Sequence, residues 1–216
     1  MIDLHTHSLF SDGELVPAEH LRRVEILDYE AIAITDHADS SNLDWIIPRI
    51  VRVAKELNRY SKTQLLPGIE LTHVPPEMIA ELATEARRLG AKVVVAHGET
   101  VVEPVRPGTN LAALKADIDV LAHPGFITRE EAELAARRGI FLELSGRKGH
   151  SLTNGHVARM AEAAGALLSV DADAHGPGDF LSAAMAETVA RGAGLSHERY
   201  ARLREDMAAF VRRILS

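Results

Sequence analysis

Several short apolar runs in this chain end in side chains able to hold a metal ion. Asp3-Leu4-His5-Thr6-His7 ends the first, with Ser11-Asp12-Gly13 close behind. Thr35-Asp36-His37 ends the second, Gly68-Ile69-Glu70 the third and Ala96-His97-Gly98-Glu99 the fourth. A fifth closes on Ala122-His123-Pro124-Gly125, and the last runs into Asp171-Ala172-Asp173-Ala174-His175. In an extended chain, residues two apart share a face, so His5 with His7, and Asp173 with His175, each aim two donors the same way. Imidazole mixed with carboxylate suits zinc, manganese or iron, whereas an all-oxygen set suits magnesium or calcium. A single buried histidine is usually structural. Here, of eleven histidines, six stand at the ends of five expected strands instead of being scattered over helix surfaces, and that pattern points to one shared site.

What must position these residues is an alternation of strands and helices. Strands are expected at Ile2–His5, Ala31–Thr35, Gln64–Glu70, Lys92–His97, Ile118–His123, Ile140–Leu144 and Ala166–Val170. They are short, rich in Val, Ile and Leu, and apolar on successive positions, as parallel strands buried on both faces are. Helices are expected at Pro17–Leu27, Asn42–Tyr60, Pro76–Leu89, Thr109–Lys115, Arg129–Arg138, Asn154–Ala164 and Phe180–Arg191, with a final one at Ser196–Leu215. Pro17 and Pro76 suit a first helical turn, and Gly90, Gly139 and Gly165 suit C-terminal stops. Seven β-α units imply a parallel sheet, and that number usually closes into a barrel whose functional face lies at the carboxyl ends of the strands. With no internal repeat, low-complexity tract or linker, one α/β domain over residues 1–216 is the expectation.

These segments resemble the PHP superfamily, named for polymerase and histidinol phosphatase. The resemblance rests on Asp3-Leu-His5-Thr-His7-Ser-Leu-Phe-Ser11-Asp12-Gly13, Thr35-Asp36-His37, Gly68-Ile69-Glu70, His97-Gly98, Ala122-His123-Pro124 and Asp173-Ala-His175, in that order, and so spans essentially the whole fold. It implies a distorted (β/α)7 TIM-like barrel holding up to three metals at the strand ends, with two to three divalent transition metals (Zn, Mn or Fe) as cofactors. By position, His5, His7, Glu70 and Asp173 would bind the first metal. Glu70, His97 and His123 would bind the second, with Glu70 bridging, and Asp12, His37 and His175 the third. Glu70, Asp173 and His175 would also carry the catalytic step. Every ligand position is filled, as an active member requires.

Clustered cations lower the pKa of a bridging water, neutralise phosphate oxygens and stabilise a leaving alkoxide, which is what phosphate ester hydrolysis needs. The resemblance therefore implies a metal-dependent hydrolase of phosphate esters, with in-line attack by a metal-bridging hydroxide and no phospho-enzyme. No G-x-S-x-G elbow or P-loop is present to suggest a serine hydrolase or nucleotide switch. Four residues are candidates for substrate contact: Arg147 and Lys148 in the Gly-flanked loop Ser145-Gly-Arg-Lys-Gly-His150, Arg106 in Glu103-Pro-Val-Arg-Pro-Gly, and His73. Arg147 is the better bidentate donor to phosphate. Asp36 and Glu99 are candidates to orient His37 and His97. Asp171 is read as a strand end, and His20, His156 and His197 as surface residues.

The expected substrate is a small phosphate monoester. Histidinol phosphate is one alternative, although the chain is shorter than typical dedicated histidinol phosphatases. A nuclease or nucleotide phosphodiesterase is another. A net charge of −7 and 4% aromatic residues argue against long nucleic acid, since neither a basic track nor a stacking platform is evident. Metal-dependent C–N hydrolysis, as in amidohydrolases, would call for a lysine bridge where Glu70 stands. A non-enzymatic metal-binding module would call for a sealed or incomplete pocket. Cysteine is absent, so thiolate sites and disulfides are excluded. Neither an apolar leader nor a membrane-length run is seen, and a cytoplasmic location is the expectation.

Overall fold

The computed structural model describes residues Met1–Ser216. Its strands are β1 (Ile2–Asp3), β2 (Ala31–Ile34), β3 (His37–Ala38), β4 (Gln64–Leu71), β5 (Val93–His97), β6 (Val120–Ala122), β7 (Phe141–Ser145) and β8 (Leu167–Asp171). They run parallel in the order β1-β2-β4-β5-β6-β7-β8, and β3 pairs with the upper half of β4. Because β2 pairs with the lower half of β4, β2 and β3 form one stave interrupted at Thr35-Asp36. Seven staves result, the TIM-like parallel barrel expected from the β-α alternation.

The last and first staves meet at a seam held in an unusual way. Thr6 bridges to Ala174, the His7 amide donates to the Ala174 carbonyl at 2.8 Å, and the Asp173 amide donates to the His5 carbonyl at 3.0 Å. Below these, carboxylates replace carbonyls. Asp171 accepts from the Leu4 amide at 2.6 Å and Asp3 from the Ala172 amide at 3.2 Å. Both aspartates are fully buried, and burial raises the pKa of each. Two like charges side by side without water are strongly disfavoured. The pair is therefore stable when it keeps a proton.

Around the barrel lie α1 (Pro17–Ile26), α2 (Leu43–Leu57), α3 (Ile79–Leu89), α4 (Thr109–Lys115), α5 (Arg129–Arg138), α6 (Asn154–Ala164), α7 (Ala183–Gly192) and α8 (His197–Leu215). Each lays an apolar stripe on the staves. Ile46, Ile47 and Ile50 of α2 are fully buried, as are Ile32, Ile34, Leu65 and Leu66 of the staves. Burying a side chain of this size stabilises the fold by about 1.5–3 kcal/mol. No helix is long and apolar enough to cross a membrane.

Element ends moved where side chains took over backbone hydrogen bonds. Helix α7 begins at Ala183, not Phe180, because the Ser182 hydroxyl caps it by accepting from the Met185 amide at 3.1 Å. The preceding Leu181 carbonyl instead accepts from the Tyr29 hydroxyl at 2.7 Å. Residues Pro76–Met78 form a separate 3-10 turn ahead of α3.

Candidate metal centre

All nine residues expected as ligands converge at the carboxyl ends of the staves. Glu70, near the end of β4 and fully buried, is the hub. Register places His37 of β3 directly beside it, with His37 Nε2 at 3.0 Å from Oε2. His5 Nε2 lies 3.4 Å from Oε1, His7 Nε2 3.9 Å from Oε2 and His123 Nε2 3.9 Å from Oε1. Donor atoms of His5, His7 and Glu70 fall within 4.8 Å of one another, as do those of Glu70, His97 and His123. A third set joins Asp12, His37 and His175, and the structure adds His7 to it. Asp173 lies among His5, His7 and His123, with its Oδ1 3.2 Å from His7 Nε2.

Two of these residues reach their places through costly backbone. His123 has φ +28° and Asp173 φ +51°, in or near the left-handed region that side chains avoid. Such conformations persist where surrounding structure enforces them, and they gather at functional sites. Gly98 helps for a different reason. A Cβ there would sit 2.2 Å from the Ala122 carbonyl oxygen, so only glycine lets the ends of β5 and β6 approach closely enough to set the His97 and His123 rings 4.5 Å apart.

The electrostatics suit ligation. Burial lowers the pKa of His7 and, helped by the nearby charge of His97, lowers that of His123 further. Both therefore stay neutral, as a ligand imidazole must. Burial opposes charge on Glu70 and Asp173, yet the imidazoles around them hold both carboxyls below the usual range. Glu143, in β7, plays a part the sequence reading passed over. Its Oε1 lies 2.7 Å from His5 Nδ1 and its Oε2 accepts from the His123 amide at 2.8 Å. A carboxylate behind a ligand histidine fixes its tautomer and ring plane. Burial pushes the Glu143 carboxyl up to about 7, against the pull of His5.

The two acids expected to orient histidines do something else. Asp36 is buried and accepts from the amides and hydroxyls of Ser8 and Ser11, at 2.7 Å from each hydroxyl; it ties down the loop that carries Asp12. Glu99 accepts from the Gly108 and Asn110 amides at 2.9 and 3.0 Å, at the start of α4. Asp171 ends its strand as expected.

Candidates for substrate contact divide. Arg147 lies against the cluster, donating to the Asp173 carbonyl at 3.1 Å and touching the His175 ring. With Lys148, Asp173, His175, Phe180 and Met185 it lines a cleft of about 750 Å³. Arg106 points away into an exposed ion pair with Glu77 at 3.2 Å, since a nearer carboxylate outcompetes the centre. His73 is at the rim, its Nε2 3.2 Å from Glu103.

Four further residues lie elsewhere than expected or had no expected role. His150 is buried, stacks on His123 with ring centroids 4.1 Å apart, and meets the Thr100 hydroxyl at 2.7 Å through Nδ1. Glu103 reaches His97, His73 and His150, and the hydrogen bond with His97 lowers its carboxyl to about 2. His20, expected on the surface, is 1% exposed and packs edge-on against Phe180 with ring centroids 4.8 Å apart. His156 is partly buried and donates from Nε2 to the Ile127 carbonyl at 2.7 Å.

The residues present fit a cation centre. Glu70 Oε1 is buried without a hydrogen-bond partner, a costly state for a carboxylate oxygen. His5 and His7 turn their Nε2 atoms to face each other at 3.1 Å, so two imidazole nitrogens converge on a point that one cation could share.

No family model matches the chain. The uncharacterized protein MJ1295 of Methanocaldococcus jannaschii is 47% identical over 198 residues, 91% of either chain. Among solved structures, the histidinol phosphate phosphatase of Lactococcus lactis complexed with Zn, L-histidinol and phosphate superposes at a TM-score of 0.66 and 18% identity, covering 90% of this chain and 94% of that one. The putative histidinol phosphatase of Listeria monocytogenes gives 0.63 at 14% identity, covering 83% and 97%. Ochratoxinase of A. niger gives 0.57 at 13%, covering 90% and 67%. At such identities the structural likeness is one of fold, shared by phosphatases and amide hydrolases alike. Close similarity along nearly its whole length shows that this chain belongs to one family with MJ1295 of Methanocaldococcus jannaschii.

Proposed function

We propose that the chain is a metal-dependent phosphoesterase of the PHP kind, acting on small phosphate monoesters. The observation that carries this reading is the buried Glu70 carboxylate, faced by the Nε2 atoms of His5, His7, His37 and His123 within 3.9 Å. His5, His7, Glu70 and Asp173 would hold one divalent cation, Glu70, His97 and His123 a second, and Asp12, His37 and His175 a third. Bound there, such cations supply an acidified water and neutralise phosphate oxygens.

The chain's own residues supply the rest. Arg147 stands beside Asp173 and His175 with its guanidinium partly exposed and is placed to pair with a phosphate oxygen as that group enters. Asp173 and His175 hold the reacting face from one side of the barrel mouth while Glu70 holds it from the other. Glu143 keeps His5 in one orientation, and Asp36 anchors the loop that carries Asp12. The neighbouring cleft has the volume of a small-molecule pocket, with Phe180 and Met185 offering apolar contact to a leaving group. Near it, Arg147 and Lys148 are the available cations, enough for one phosphate and too few to follow a polynucleotide backbone. The fold likeness to a phosphatase crystallised with zinc and phosphate agrees with this reading.

The test is turnover of protein reconstituted with Zn, Mn or Fe on a panel of sugar, amino-alcohol and nucleotide monophosphates. Single-stranded DNA and N-acyl amino acids serve as the competing arms. Monoester turnover that a chelator abolishes is the expected result. Turnover confined to DNA would shift the reading to a nuclease, and turnover confined to amides to a C–N hydrolase.

A further inference from the structure

The rim of the centre carries a second donor set that shares one residue with the buried set. His73, His97 and Glu103 bring donor atoms within 4.8 Å of one another, Glu103 Oε2 lying 3.2 Å from His73 Nε2 and 3.0 Å from His97 Nε2. This set opens to water. The side chains of His73 and Glu103 are 42% and 37% exposed, against 3% for His97. His97 Nδ1 faces the Gly98 carbonyl at 3.1 Å, so its Nε2 is the atom free to serve either the outer set or the inner set with Glu70 and His123. His73 adds an independent sign. Its φ is +53°, in the left-handed region that side chains seldom adopt, and its ring lies 4.8 Å from the ring of His97. His150 Nε2, 3.4 Å from Glu103 Oε1, steadies the carboxylate from behind.

We propose that His73, Glu103 and His97 form a landing site on which a divalent transition-metal ion first binds before His97 passes it inward. The inference rests on the metal-centre reading above. A hydrated ion cannot enter a fully buried cage in one step, because all its waters would have to leave before any protein donor replaced them. The rim set lets exchange proceed one donor at a time. Glu103 and His73 displace the first waters, His97 remains bound, and Glu70 with His123 then replaces Glu103 with His73. The exchange involves no redox change, and the waters return to solvent.

The experiment strips the protein of metal with a chelator and then follows uptake of Co(II) by stopped-flow absorbance, with final metal content read by elemental analysis. Glu103→Gln and His73→Ala should each load on the order of tenfold more slowly, the size of effect that losing a supporting partner has on metal affinity. Both should reach the wild-type metal content. Glu77→Gln removes a nearby exposed carboxylate outside the set and should load at the wild-type rate. An unchanged rate in the first two variants, equal slowing in Glu77→Gln, or a reduced final content would each overturn the landing site. If the wild-type chain takes up no metal at all, the metal-centre reading itself falls; normal loading by every variant would remove the landing site alone.

Discussion

The mouth of the barrel has two kinds of donor, and they differ in how they are held. His5, His7, Glu70, His123 and Asp173 are buried, rooted in or just beyond staves, and braced by other buried groups such as Glu143. Asp12, His73 and Glu103 are exposed or half-exposed on loops and touch their neighbours only through side-chain tips. The inner group is expensive to assemble and cannot relax, so its geometry is fixed before any ligand arrives. The outer group is open to water. The difference is one of burial: the inner donors are shut away from solvent and the outer ones meet it.

The largest effect expected from breaking this contrast is at its hub. Glu70→Gln should abolish activity and lower bound metal, because one carboxylate faces donors of every inner set. Arg147→Ala should mainly raise KM, by a factor worth about 2–3 kcal/mol for a charge-assisted contact. Steady-state kinetics and elemental analysis on both variants settle the order. A Glu70→Gln protein with full metal and activity would remove the hub, and unchanged kinetics for Arg147→Ala would return that loop to a solvated turn.

Glu143→Gln sharpens the comparison from behind the site. It keeps the shape but removes the charge that His5 leans on, and should weaken metal affinity roughly tenfold to a hundredfold. Competition against a chelator of known strength measures this directly. The same substitution leaves the rim untouched, so equal loss in the landing rate would contradict the separation of the two groups.

Acid should empty the inner group. A ligand imidazole binds metal only when neutral, so as pH falls protons compete for the same nitrogens and metal is released. Burial holds the pKa of His7 and His123 low, which delays their protonation, whereas neighbouring carboxylates outweigh burial at His5, His37 and His97 and raise theirs, so these three should protonate earlier. Each of the three sets holds one of them, so metal content measured after dialysis across a pH series should fall in all three sets as pH drops. Full metal content retained at acid pH would show that these imidazoles are not the ligands.

Much of the inner group was legible because barrel geometry places strand ends on one face, and the ligands sit in short motifs that mark those ends. Glu143 carried a readable sign, a lone charge inside the apolar run Phe141-Leu-Glu-Leu-Ser145. So did His20. With Pro17, Leu21 and Val24 it follows the i, i+3, i+4, i+7 spacing of a buried helix face, and those four are the buried residues of α1. The rim was not legible. Whether Arg106 reached the centre or Glu77, and whether Glu103 reached His97, depended on loop paths that no periodicity encodes. Asp36 was placed near the right histidine and given the wrong partner, because a short acid bonds whichever amide is nearest.

The smallest effect concerns the seam between the first and last staves. A buried acid whose folded pKa is raised supports the fold fully below its unfolded pKa and loses that support as pH rises through the folded value. Asp171→Asn needs no proton, so metal-free protein carrying it should lose less stability between mildly acid and alkaline pH than the wild type. Urea midpoints at the two pH values decide it, and parallel losses would show that Asp3 and Asp171 do not share a proton.

That seam has a consequence for how the molecule is made. His5 and His7 leave the ribosome early, but their neighbours Asp173 and His175 come from the far end of the chain, and the contacts joining them span about 170 residues. Contacts so distant in sequence form late, after loop closure has been overcome. During synthesis the first six staves can pair in order as an open sheet, with both edges exposed, before the seventh stave appears. Until then the half-built centre holds histidines without their matching aspartate, and a nascent chain that captures metal early would hold it through an incomplete set. The order of synthesis thus favours folding first and metal second.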